Sequence, residues 1–307
     1  MTKIFIDGSA GTTGLRIYER LENRADISLI KLPEQLRKDP AARKEAINSA
    51  DIVFLCLPDD AAREAVGFIE NKNTAVIDTS PAHRVNPNWV YGFPEIGNNR
   101  AKIANAKLVA NPGCHASGFI ALVTPLIEAG VLKADTTLSC FSLTGYSGGG
   151  KKMIAEYESP DVSALYKAPR QYGLTQQHKH LAEMKNVTGI GSLPLFCPIV
   201  ADFYSGMEVT VPIAAGDIKT DIKGLYEIYR NYYDNGLVHF CEDVQEGGFL
   251  SAAALSGRDD MQITVCGNDE RIILVARYDN LGKGASGSAI QNMNILMGVD
   301  EKTGLIV

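Results

Sequence analysis

One cysteine of the chain occupies a position where a thiol can act as a nucleophile. Cys114 follows the apolar run Leu108–Ala110 and the break Asn111-Pro112-Gly113, and it precedes a helical pattern from His115 to Ala129. The dipole and the unpaired N–H groups at a helix N-terminus stabilise a thiolate and the oxyanion that forms when it attacks a carbonyl. We therefore predict that Cys114 is a nucleophile. A helix-start cysteine without chemistry is the alternative, and it would weigh equally if the chain had no cofactor turn.

The other five cysteines have positions typical of buried small side chains. They lie inside apolar runs or beside bulky neighbours, and they are Cys56, Cys140, Cys197, Cys241 and Cys266. The six cysteines are widely spaced, with no CxxC pair and no spacing typical of metal ligands, so we expect reduced thiols and no metal site.

Proton exchange with a thiol requires a general acid/base, and histidine has the most suitable pKa for this role. Among five histidines, His178 and His180 stand at the start of a helical pattern, and Glu183 lies one turn after His180, able to orient it. Residues two apart on a helix do not share a face, so we do not expect this pair to bind a metal. For either histidine, an ordinary surface position is an equally good interpretation. His115 lies beside the thiol, and its role stays open.

A glycine-rich turn near the start of the chain has the features of a dinucleotide-binding turn. It lies between a predicted strand, Lys3–Asp7, and a predicted helix, Thr13–Glu22. Glycine permits the tight turn and lets a pyrophosphate approach the free N–H groups of the helix. The spacing Gly-x-x-Gly-x-x-Gly differs from the standard G-x-G-x-x-G, so a glycine-lined turn without a ligand is the alternative. The residues predicted to bind the cofactor here are Gly8, Ser9, Ala10, Gly11, Thr12, Thr13 and Gly14.

The choice between NAD and NADP depends on the end of the second predicted strand. An acidic residue there would bind the ribose 2′-OH of NAD. The strand Ile27–Leu32 ends without one, while Lys31, Arg37 and Lys38 lie nearby. These cations favour the 2′-phosphate of NADP, although for each one singly a solvated surface is the ordinary interpretation. A thiolate beside a nicotinamide suits oxidation or reduction through a thioester, whereas a thiolate alone suits a hydrolase.

The elements that position these residues alternate short apolar runs with helical patterns. Ile52–Leu57 is apolar at every position, which is typical of a parallel strand covered on both faces. We therefore predict an α/β fold built on a Rossmann-type, doubly wound parallel sheet. Further elements predicted in this part are the helices Pro40–Ser49 and Asp59–Asn71 and the strands Asp51–Pro58, Thr74–Asp78 and Lys107–Ala110.

Beyond the first domain, the pattern changes to strands with more threonine and more alternation. This pattern predicts an α+β domain with a larger antiparallel component and a long helix near Asp221–Asn235. Residues 145–170 contain Gly148-Gly149-Gly150 and are predicted to form a mobile loop. The strands predicted here are Thr136–Leu143, Met207–Pro212, Gln262–Cys266 and Arg271–Tyr278.

Gly284–Met297 is predicted to be a helix with small residues that packs back on the first domain. We therefore predict a dinucleotide-binding domain from residues 1–113 plus 285–307. Residues 114–284 are predicted to form a catalytic, substrate-binding and oligomerisation domain.

Composition and charge narrow the class of protein. The chain has 307 residues, enough for about two domains, and its 45% hydrophobic and 21% charged residues exclude a disordered chain. The net charge is −6 and no basic run is longer than Lys151-Lys152, which argues against a nucleic-acid partner. No apolar stretch approaches the ~18 residues of a membrane span, and the first residues lack a signal-peptide core. We expect a cytoplasmic protein with a small-molecule substrate.

Together these segments resemble the N-acetyl-gamma-glutamyl-phosphate reductase family, NADPH-dependent enzymes of arginine biosynthesis, and within it the shorter form. The resemblance runs nearly end to end. The segments that carry it are Gly8–Gly14, Asn111–Cys114 followed by Gly118 and Pro125, Ser147-Gly148, His178-Lys179-His180 with Glu183, and Asp279–Ala285 leading to Gln291-Asn292-Met293-Asn294. The resemblance implies a fold like that of semialdehyde dehydrogenases and glyceraldehyde-3-phosphate dehydrogenase. It also implies reduction of N-acetyl-gamma-glutamyl phosphate to N-acetylglutamate 5-semialdehyde and phosphate.

The resemblance also implies roles for single residues. Cys114 would form the thioester, and one histidine of the 178/180 pair would be the acid/base. We favour His180 because of Glu183, with His178 a close second. The cofactor site would further include Ser147, Gly148 and Asn280. The chain departs from the longer members directly after Cys114, where they have an aromatic residue, Pro and Thr and this chain has His115-Ala116-Ser117. It also has Lys179 and Ala182 at two positions where Arg and Pro are common.

The carboxylate and phosphate of such a substrate require a few placed polar groups. The predicted substrate-binding residues are Asn111, Arg84 and Lys151, although each cation singly is more often an ordinary surface charge. The first rival is an aspartate-semialdehyde-type dehydrogenase, against which the segment 279–294 argues. A dinucleotide-binding redox sensor and a cofactor-free cysteine hydrolase are the others. An exposed antiparallel sheet in the second domain would suit a homo-oligomer, either a dimer or a tetramer.

Overall fold

The computed structural model describes all 307 residues, and the chain divides into two compact units. Unit 1 comprises Met1–Gly113 and Ala285–Leu305, and unit 2 comprises Cys114–Gly284 and Ile306–Val307. The last two residues, predicted in the first domain, group instead with unit 2, where the carbonyl oxygen of Ile306 accepts a hydrogen bond from the backbone N–H of Asp259. None of the helices has the length and apolar character needed to cross a membrane.

Thirteen strands and nine α-helices follow one another along the chain. The strands are β1 (Thr2–Asp7), β2 (Ile27–Ile30), β3 (Ile52–Leu55), β4 (Ala75–Asp78), β5 (Val90–Tyr91), β6 (Leu108–Ala110), β7 (Ser139–Gly145), β8 (Arg170–Gln171), β9 (Leu195–Ala201), β10 (Met207–Ala214), β11 (Val238–Phe240), β12 (Met261–Asn268) and β13 (Arg271–Tyr278). The helices are α1 (Thr12–Leu21), α2 (Pro40–Ser49), α3 (Asp59–Gly67), α4 (Asn99–Ala104), α5 (Cys114–Glu128), α6 (Gly150–Tyr157), α7 (His180–Thr188), α8 (Ile222–Tyr232) and α9 (Gly287–Met297).

Unit 1 contains a six-stranded sheet with the order β2-β1-β3-β4-β6-β5, in which all neighbours are parallel. Every residue of β3 and β4 is buried, as expected for strands that helices cover on both faces. The strand order reverses at β1, and doubly wound sheets bind ligands beyond the carboxyl ends of the strands at such a point. This topology confirms the predicted α/β, doubly wound sheet.

Alternate residues of β1 contribute to the two cores of unit 1. Ile4 and Ile6 pack in the core that includes α1 and Met293 of α9. Phe5 packs in the other core, which includes Ile47 of α2 and residues of α3. This alternation follows from the two-residue period of a strand. Because α9 lies in the same core as α1, the C-terminal helix is part of unit 1.

Unit 2 contains a seven-stranded sheet with the order β11-β12-β13-β10-β7-β9-β8. Strands β12, β13, β10 and β7 are successive antiparallel neighbours, whereas β7 pairs with β9 and β11 with β12 in parallel. Helix α5 is buried from His115 to Leu126 and packs on β10, β13 and α7. A helix that is apolar on all sides is typical of a core position. The mixed sheet confirms the predicted α+β unit with a larger antiparallel component.

Unit 2 differs from the sequence-based predictions in several features, and the short strands β8 and β11 were among the elements not predicted. Residues 145–170 do not form a simple loop, because they contain α6 and two short 3-10 turns. Stacking of Tyr146 on Tyr157 and of Arg170 on Tyr166 provides the packing that orders this segment. Strand β9 was not predicted because Pro198 interrupts its pattern, yet it pairs with β7 along its whole length.

Candidate active site

The thiol of Cys114 lies at the start of the buried helix of unit 2. Cys114 is the first residue of α5, one position before the predicted start, and it is half-buried. The chain passes close to it at Gly284, where a Cβ atom would lie 3.1 Å from the Cβ atom of Cys114. Glycine at this position therefore leaves the room that the cysteine side chain occupies.

The hydroxyl of Tyr278, the last residue of β13, bridges the first turn of α5. It donates a hydrogen bond to the carbonyl oxygen of Cys114 (2.5 Å) and accepts one from the N–H of Gly118 (3.0 Å). A helix that begins at Cys114 also pairs these two groups with each other, so the hydroxyl adds a second bond to each of them. A Cβ atom at position 118 would lie 2.7 Å from the hydroxyl oxygen, so this approach requires glycine. Burial, and next the nearby thiol of Cys114, raise the pKa of Tyr278 well above its usual value, so the hydroxyl keeps its proton.

Three imidazole rings gather beside this turn. The ring centroids of His115 and His178 lie 5.7 Å apart, those of His115 and His180 5.5 Å, and those of His178 and His180 4.8 Å. The assumption that His178 and His180 stand two apart on one helix was wrong, because α7 begins only at His180 and His178 precedes the helix. The sulfur of Cys114 and one ring nitrogen each of His115 and His180 all lie within 4.8 Å of one another.

Two hydroxyl groups hold the ring of His115. Its Nδ1 lies 2.6 Å from Oγ of Ser142, and its Nε2 lies 2.6 Å from the hydroxyl of Tyr172. Burial is the main cause that lowers the pKa of His115 to about 3, followed by the charges of His178 and Lys179. Burial likewise raises the pKa of Tyr172, so its hydroxyl keeps its proton. A neutral imidazole carries one N–H group, so one ring nitrogen donates and the other accepts, and the tautomer decides which is which.

The segment before α7 fixes His178. Gln176 adopts a left-handed conformation with φ 56°, which is uncommon for a residue with a side chain. Its amide clamps the backbone of Phe196, donating to the carbonyl oxygen (2.7 Å) and accepting from the N–H (2.9 Å). The Nδ1 atom of His178 accepts a hydrogen bond from the backbone N–H of His180 at 3.3 Å. Burial, and then the charge of Lys179, lower the pKa of His178 to about 4.

His180 and Glu183 occupy the first turn of α7, as the predicted pair requires. Both side chains are buried, with 4% and 1% of their surface exposed. The charge of Glu183 also reaches Tyr278, where it is one of the smaller contributions to the raised pKa. The four predicted catalytic residues therefore lie in one region of unit 2, together with His115.

The glycine turn of unit 1 has the backbone geometry that a pyrophosphate site requires. Gly8 has φ 89°, and a Cβ atom there would overlap the carbonyl group of Cys56. A Cβ atom at Gly14 would overlap the carbonyl group of Gly8, so both positions require glycine. Gly11 caps α1 without a side-chain hydrogen bond, which leaves N–H groups at the helix start for an anion.

A cavity of about 670 Å³ adjoins this turn within unit 1. Its lining includes Gly8, Ser9 and Ala10 at the turn and, after β2, the three cations predicted to favour NADP: Lys31, Arg37 and Lys38. The carboxylate of Asp7 also lines it but is neutralised by Arg43, whose Nη2 lies 3.0 Å from Oδ2. Glu34 is the remaining carboxylate of the lining. Positive charges therefore outnumber negative ones in the lining of this cavity.

Asn111 belongs to the internal hydrogen-bond network of unit 1. Its side chain is 1% exposed. The Nδ2 atom donates to the carbonyl oxygen of Ala285 and to Oγ of Ser288, both at 3.1 Å, and Oδ1 accepts from Asn292 at 3.1 Å. These bonds fix the turn before Cys114, and a contact of Asn111 with substrate stays a prediction.

Arg84 and Lys151, the two predicted substrate cations, lie in different units. Arg84 is half-buried in unit 1, where it donates to the carbonyl oxygens of Asn111 (3.0 Å) and Thr79 (2.9 Å). It therefore also holds the turn before Cys114. Lys151 is exposed near the start of α6 in unit 2.

The predicted cofactor residues Ser147 and Asn280 contact each other in unit 2. The Nδ2 atom of Asn280 donates to Oγ of Ser147 (3.0 Å), and its Oδ1 accepts from the N–H of Gly206 (2.9 Å). Both side chains are buried, whereas Gly148 is exposed. Asn280 thus shapes the short turn that presents Gly148.

Sequence reasoning missed Ser142, Tyr172 and Tyr278, the three hydroxyl residues around the thiol and His115. They lie on β7, just after β8 and at the end of β13, far from Cys114 in sequence. No motif marks them. The one available signal was Gly118, since glycine inside a helix often allows another group to approach closely.

Comparison with known protein families and relatives agrees with this geometry. Residues 30–106 match the semialdehyde dehydrogenase NAD binding domain, and residues 114–280 match the semialdehyde dehydrogenase dimerisation domain, with Cys114 as its first residue. The chain therefore has a domain that binds a nicotinamide dinucleotide and one that forms oligomers in that family. It is 44% identical to N-acetyl-gamma-glutamyl-phosphate reductase 2 of Nostoc sp. over 99% of both chains, and 45% identical to N-acetyl-gamma-glutamyl-phosphate reductase of Burkholderia lata over 96% of both.

Solved structures share the fold at much lower sequence identity. Aspartate semialdehyde dehydrogenase II of Vibrio cholerae has a TM-score of 0.71 at 14% identity and covers 97% of this chain and 98% of its own. Aspartate semialdehyde dehydrogenase of Candida albicans, solved with NADP, has a TM-score of 0.70 at 15% identity, with 97% and 98% coverage. At these identities the likeness shows the architecture alone.

Proposed function

This chain belongs to the N-acetyl-gamma-glutamyl-phosphate reductase family, and we propose that it reduces N-acetyl-gamma-glutamyl phosphate to N-acetylglutamate 5-semialdehyde and phosphate with NADPH, a step of arginine biosynthesis. The observation that carries the proposal is the convergence of the helix-start thiol of Cys114 with His115 and His180, whose donor atoms lie within 4.8 Å of one another.

The proposed reaction proceeds through a thioester on Cys114. The thiolate attacks the acyl carbon and expels phosphate, while N–H groups at the start of α5 stabilise the oxyanion. NADPH, when bound, supplies the hydride that reduces the thioester. The acid/base protonates the resulting oxyanion to a thiohemiacetal and then takes the proton back as the C–S bond breaks. The aldehyde leaves and the thiolate is restored.

We assign the acid/base role to His180. An acid/base works best with a pKa near the operating pH. Burial lowers the pKa of His115 to about 3 and that of His178 to about 4, which makes both weak bases at neutral pH. His178 is in addition engaged through Nδ1 in accepting the backbone N–H of His180. These two rings therefore act as neutral neighbours, and Glu183 follows His180 on the same helix to orient it.

NADPH is the proposed form of the cofactor, bound by unit 1 as a dinucleotide-binding domain. The glycine turn would receive the pyrophosphate, and Lys31, Arg37 and Lys38 would receive the 2′-phosphate in the adjoining cavity. Their three charges exceed the single charge of Glu34, which supports a phosphate over a ribose hydroxyl. Ser147, Gly148 and Asn280 are proposed to contribute to cofactor binding from unit 2.

Unit 2 is the proposed catalytic and oligomerisation domain, with Lys151 and, from unit 1, Arg84 as substrate cations. One face of its sheet exposes apolar side chains on three strands. Phe141, Leu195 and Ile273 are 46%, 55% and 40% exposed. An apolar sheet face of this kind suits the interface of a homodimer or homotetramer.

The test is the reverse reaction, reduction of NADP followed by absorbance, with N-acetylglutamate 5-semialdehyde and phosphate. Aspartate semialdehyde and NAD serve as parallel alternatives. We expect turnover with the first aldehyde and NADP, and none for Cys114→Ala, which should still bind NADP. His180→Asn should lower kcat by about 10²–10⁴-fold, whereas His239→Asn on β11 is the matched control and should retain activity.

Each alternative has a distinct outcome in this assay. Turnover only with aspartate semialdehyde would assign the other substrate. Substantial activity of Cys114→Ala would exclude the thioester, and an unchanged rate for His180→Asn would move the acid/base role to His178.

A further inference from the structure

Cys114, His115 and His180 present the donor atoms of a transition-metal site. One thiol sulfur and two imidazole nitrogens lie within 4.8 Å of one another, and the two imidazole rings are buried. Cysteine sulfur and histidine nitrogen are the preferred ligands of Zn²⁺ in proteins. No spacing in the sequence reveals the set, because two donors begin α5 and the third begins α7.

The distances require a small adjustment for a tetrahedral ion. With bonds of about 2.3 Å to sulfur and 2.0–2.1 Å to nitrogen, ligand atoms of a tetrahedral zinc site lie roughly 3.4–3.6 Å apart. The atoms here are separated by up to 4.8 Å, and rotation of the side chains about their χ angles can supply the difference of roughly 1.2 Å. Three protein ligands leave a fourth position for water.

The surroundings of His115 match those of a metal-bound histidine. Metal-binding imidazoles usually donate their second N–H to an oxygen atom, which fixes the ring and its tautomer. With the proton on Nδ1, His115 donates to Ser142, and Nε2 presents its lone pair toward the Tyr172 hydroxyl. A metal ion at Nε2 replaces only the Tyr172 hydroxyl and leaves the contact with Ser142 intact.

We propose that Zn²⁺ binds to Cys114, His115 and His180 and holds the protein in a reversibly inactive state. The ion binds the sulfur as a thiolate, with loss of the thiol proton to solvent. The sulfur is then blocked from attack on an acyl phosphate and from oxidation. Removal of the ion restores the nucleophile, since no covalent bond of the protein is broken.

The experiment measures metal binding without substrate or nicotinamide. The chelator-treated protein is titrated with Zn²⁺ against a chromophoric chelator, and Co²⁺ is used as a spectroscopic probe whose thiolate charge-transfer band reports the sulfur ligand. We expect one ion per chain. Loss of a group that supports a metal ligand typically weakens metal binding by roughly 10–100-fold. Cys114→Ser, His115→Gln and His180→Gln each remove a ligand itself, so each should weaken Zn²⁺ binding by at least this factor. Cys241→Ser and His239→Gln are the matched thiol and imidazole controls and should bind as the wild type does.

Inhibition is measured separately, as loss of turnover with Zn²⁺ and its recovery with chelator. Absence of stoichiometric Zn²⁺ binding, or an unchanged Co²⁺ band in Cys114→Ser, would overturn the metal site. Equal loss of binding in the controls would do the same. If His115→Gln does not fold, as judged from its thermal melt, the Co²⁺ spectra of the other two variants decide. Because binding is measured without substrate, a different natural substrate would leave this result unaffected.

Discussion

Tyr278→Phe removes the hydroxyl that bridges the carbonyl oxygen of Cys114 and the N–H of Gly118. The ring stays, so packing at the end of β13 is retained. Without the hydroxyl, the first turn of α5 loses both hydrogen bonds that tie it to the end of β13, and only the pairing within the helix remains. The position of the thiol would then be less firmly fixed.

The expected loss of stability follows from the two hydrogen bonds that the variant lacks. Each ordinary hydrogen bond contributes about 0.5–1.5 kcal/mol to stability. Loss of both should therefore lower the free energy of unfolding by about 1–3 kcal/mol. A misplacement of about 1 Å at a reacting group can lower the rate by about 10²-fold. We therefore expect kcat to fall by roughly 10–100-fold with little change in KM.

Tyr229→Phe on α8 provides a matched control, because its hydroxyl also bonds to the backbone of α5. The buried hydroxyl of Tyr229 donates to the carbonyl oxygen of Leu122, two turns after Cys114. Its loss should also cost about 1 kcal/mol but leave kcat unchanged. Urea unfolding gives the stabilities and steady-state kinetics gives kcat and KM. Wild-type kcat in Tyr278→Phe, or an equal loss of kcat in both variants, would refute this explanation of how the thiol is positioned.

Three further predictions concern the cofactor and the buried histidine. The double variant of Arg37→Ala and Lys38→Ala should raise KM for NADPH by roughly 10–100-fold, because hydrogen bonds to charged groups contribute about 1.5–3 kcal/mol. KM for NADH should stay unchanged. Equal changes in both KM values would contradict a 2′-phosphate site. Gly8→Ala should abolish dinucleotide binding, measured by NADPH fluorescence, since its Cβ atom would overlap the Cys56 carbonyl at φ 89°. His115 has a pKa of about 3 in the folded chain, against the ordinary histidine value of 6.5. Between these pH values, the unfolded chain binds more protons than the folded chain. The free energy of unfolding therefore falls as pH falls below about 6.5. His115→Gln should make this fall shallower in urea titrations at pH 7 and 5, and an unchanged slope would assign it to other groups.

Local patterns predicted most elements of unit 1, because parallel strands buried on both faces have continuous apolar runs. The short elements β5 and α4 were not predicted. Pro40–Ser49 coincides with α2, whose first position suits proline and whose N-cap Asp39 accepts from the N–H of Ala42. In unit 2, the predicted strand Arg271–Tyr278 coincides with β13. Strand β9 was not predicted because it contains Pro198; it forms because its pairing with β7 outweighs the cost of the proline. Strand propensity depends on such neighbours, which a single sequence does not show.

Candidate site residues could be predicted where a few consecutive residues of the chain by themselves create the environment that the chemistry needs. The helix start at Cys114 and the glycine turn are properties of a few consecutive residues. Asn111 shows the limit of this reasoning, because the sequence did not reveal that its buried amide bonds to Ala285, Ser288 and Asn292. Only the tertiary structure determines whether a polar side chain faces a ligand or the protein.

Gly118 shows how a residue that destabilises a helix can indicate a tertiary contact that the sequence does not reveal directly. Glycine inside a helix is destabilising by about 1 kcal/mol relative to alanine. Gly118 lies four residues after Cys114, and a Cβ atom there would meet the Tyr278 hydroxyl at 2.7 Å and Val209 at 2.6 Å. The helix therefore accepts a less stable residue one turn after its nucleophile, and the space gained admits the hydroxyl that holds the carbonyl oxygen of Cys114. A costly glycine one turn from a helix-start nucleophile thus predicts a group inserted into that turn, although the sequence does not name the group.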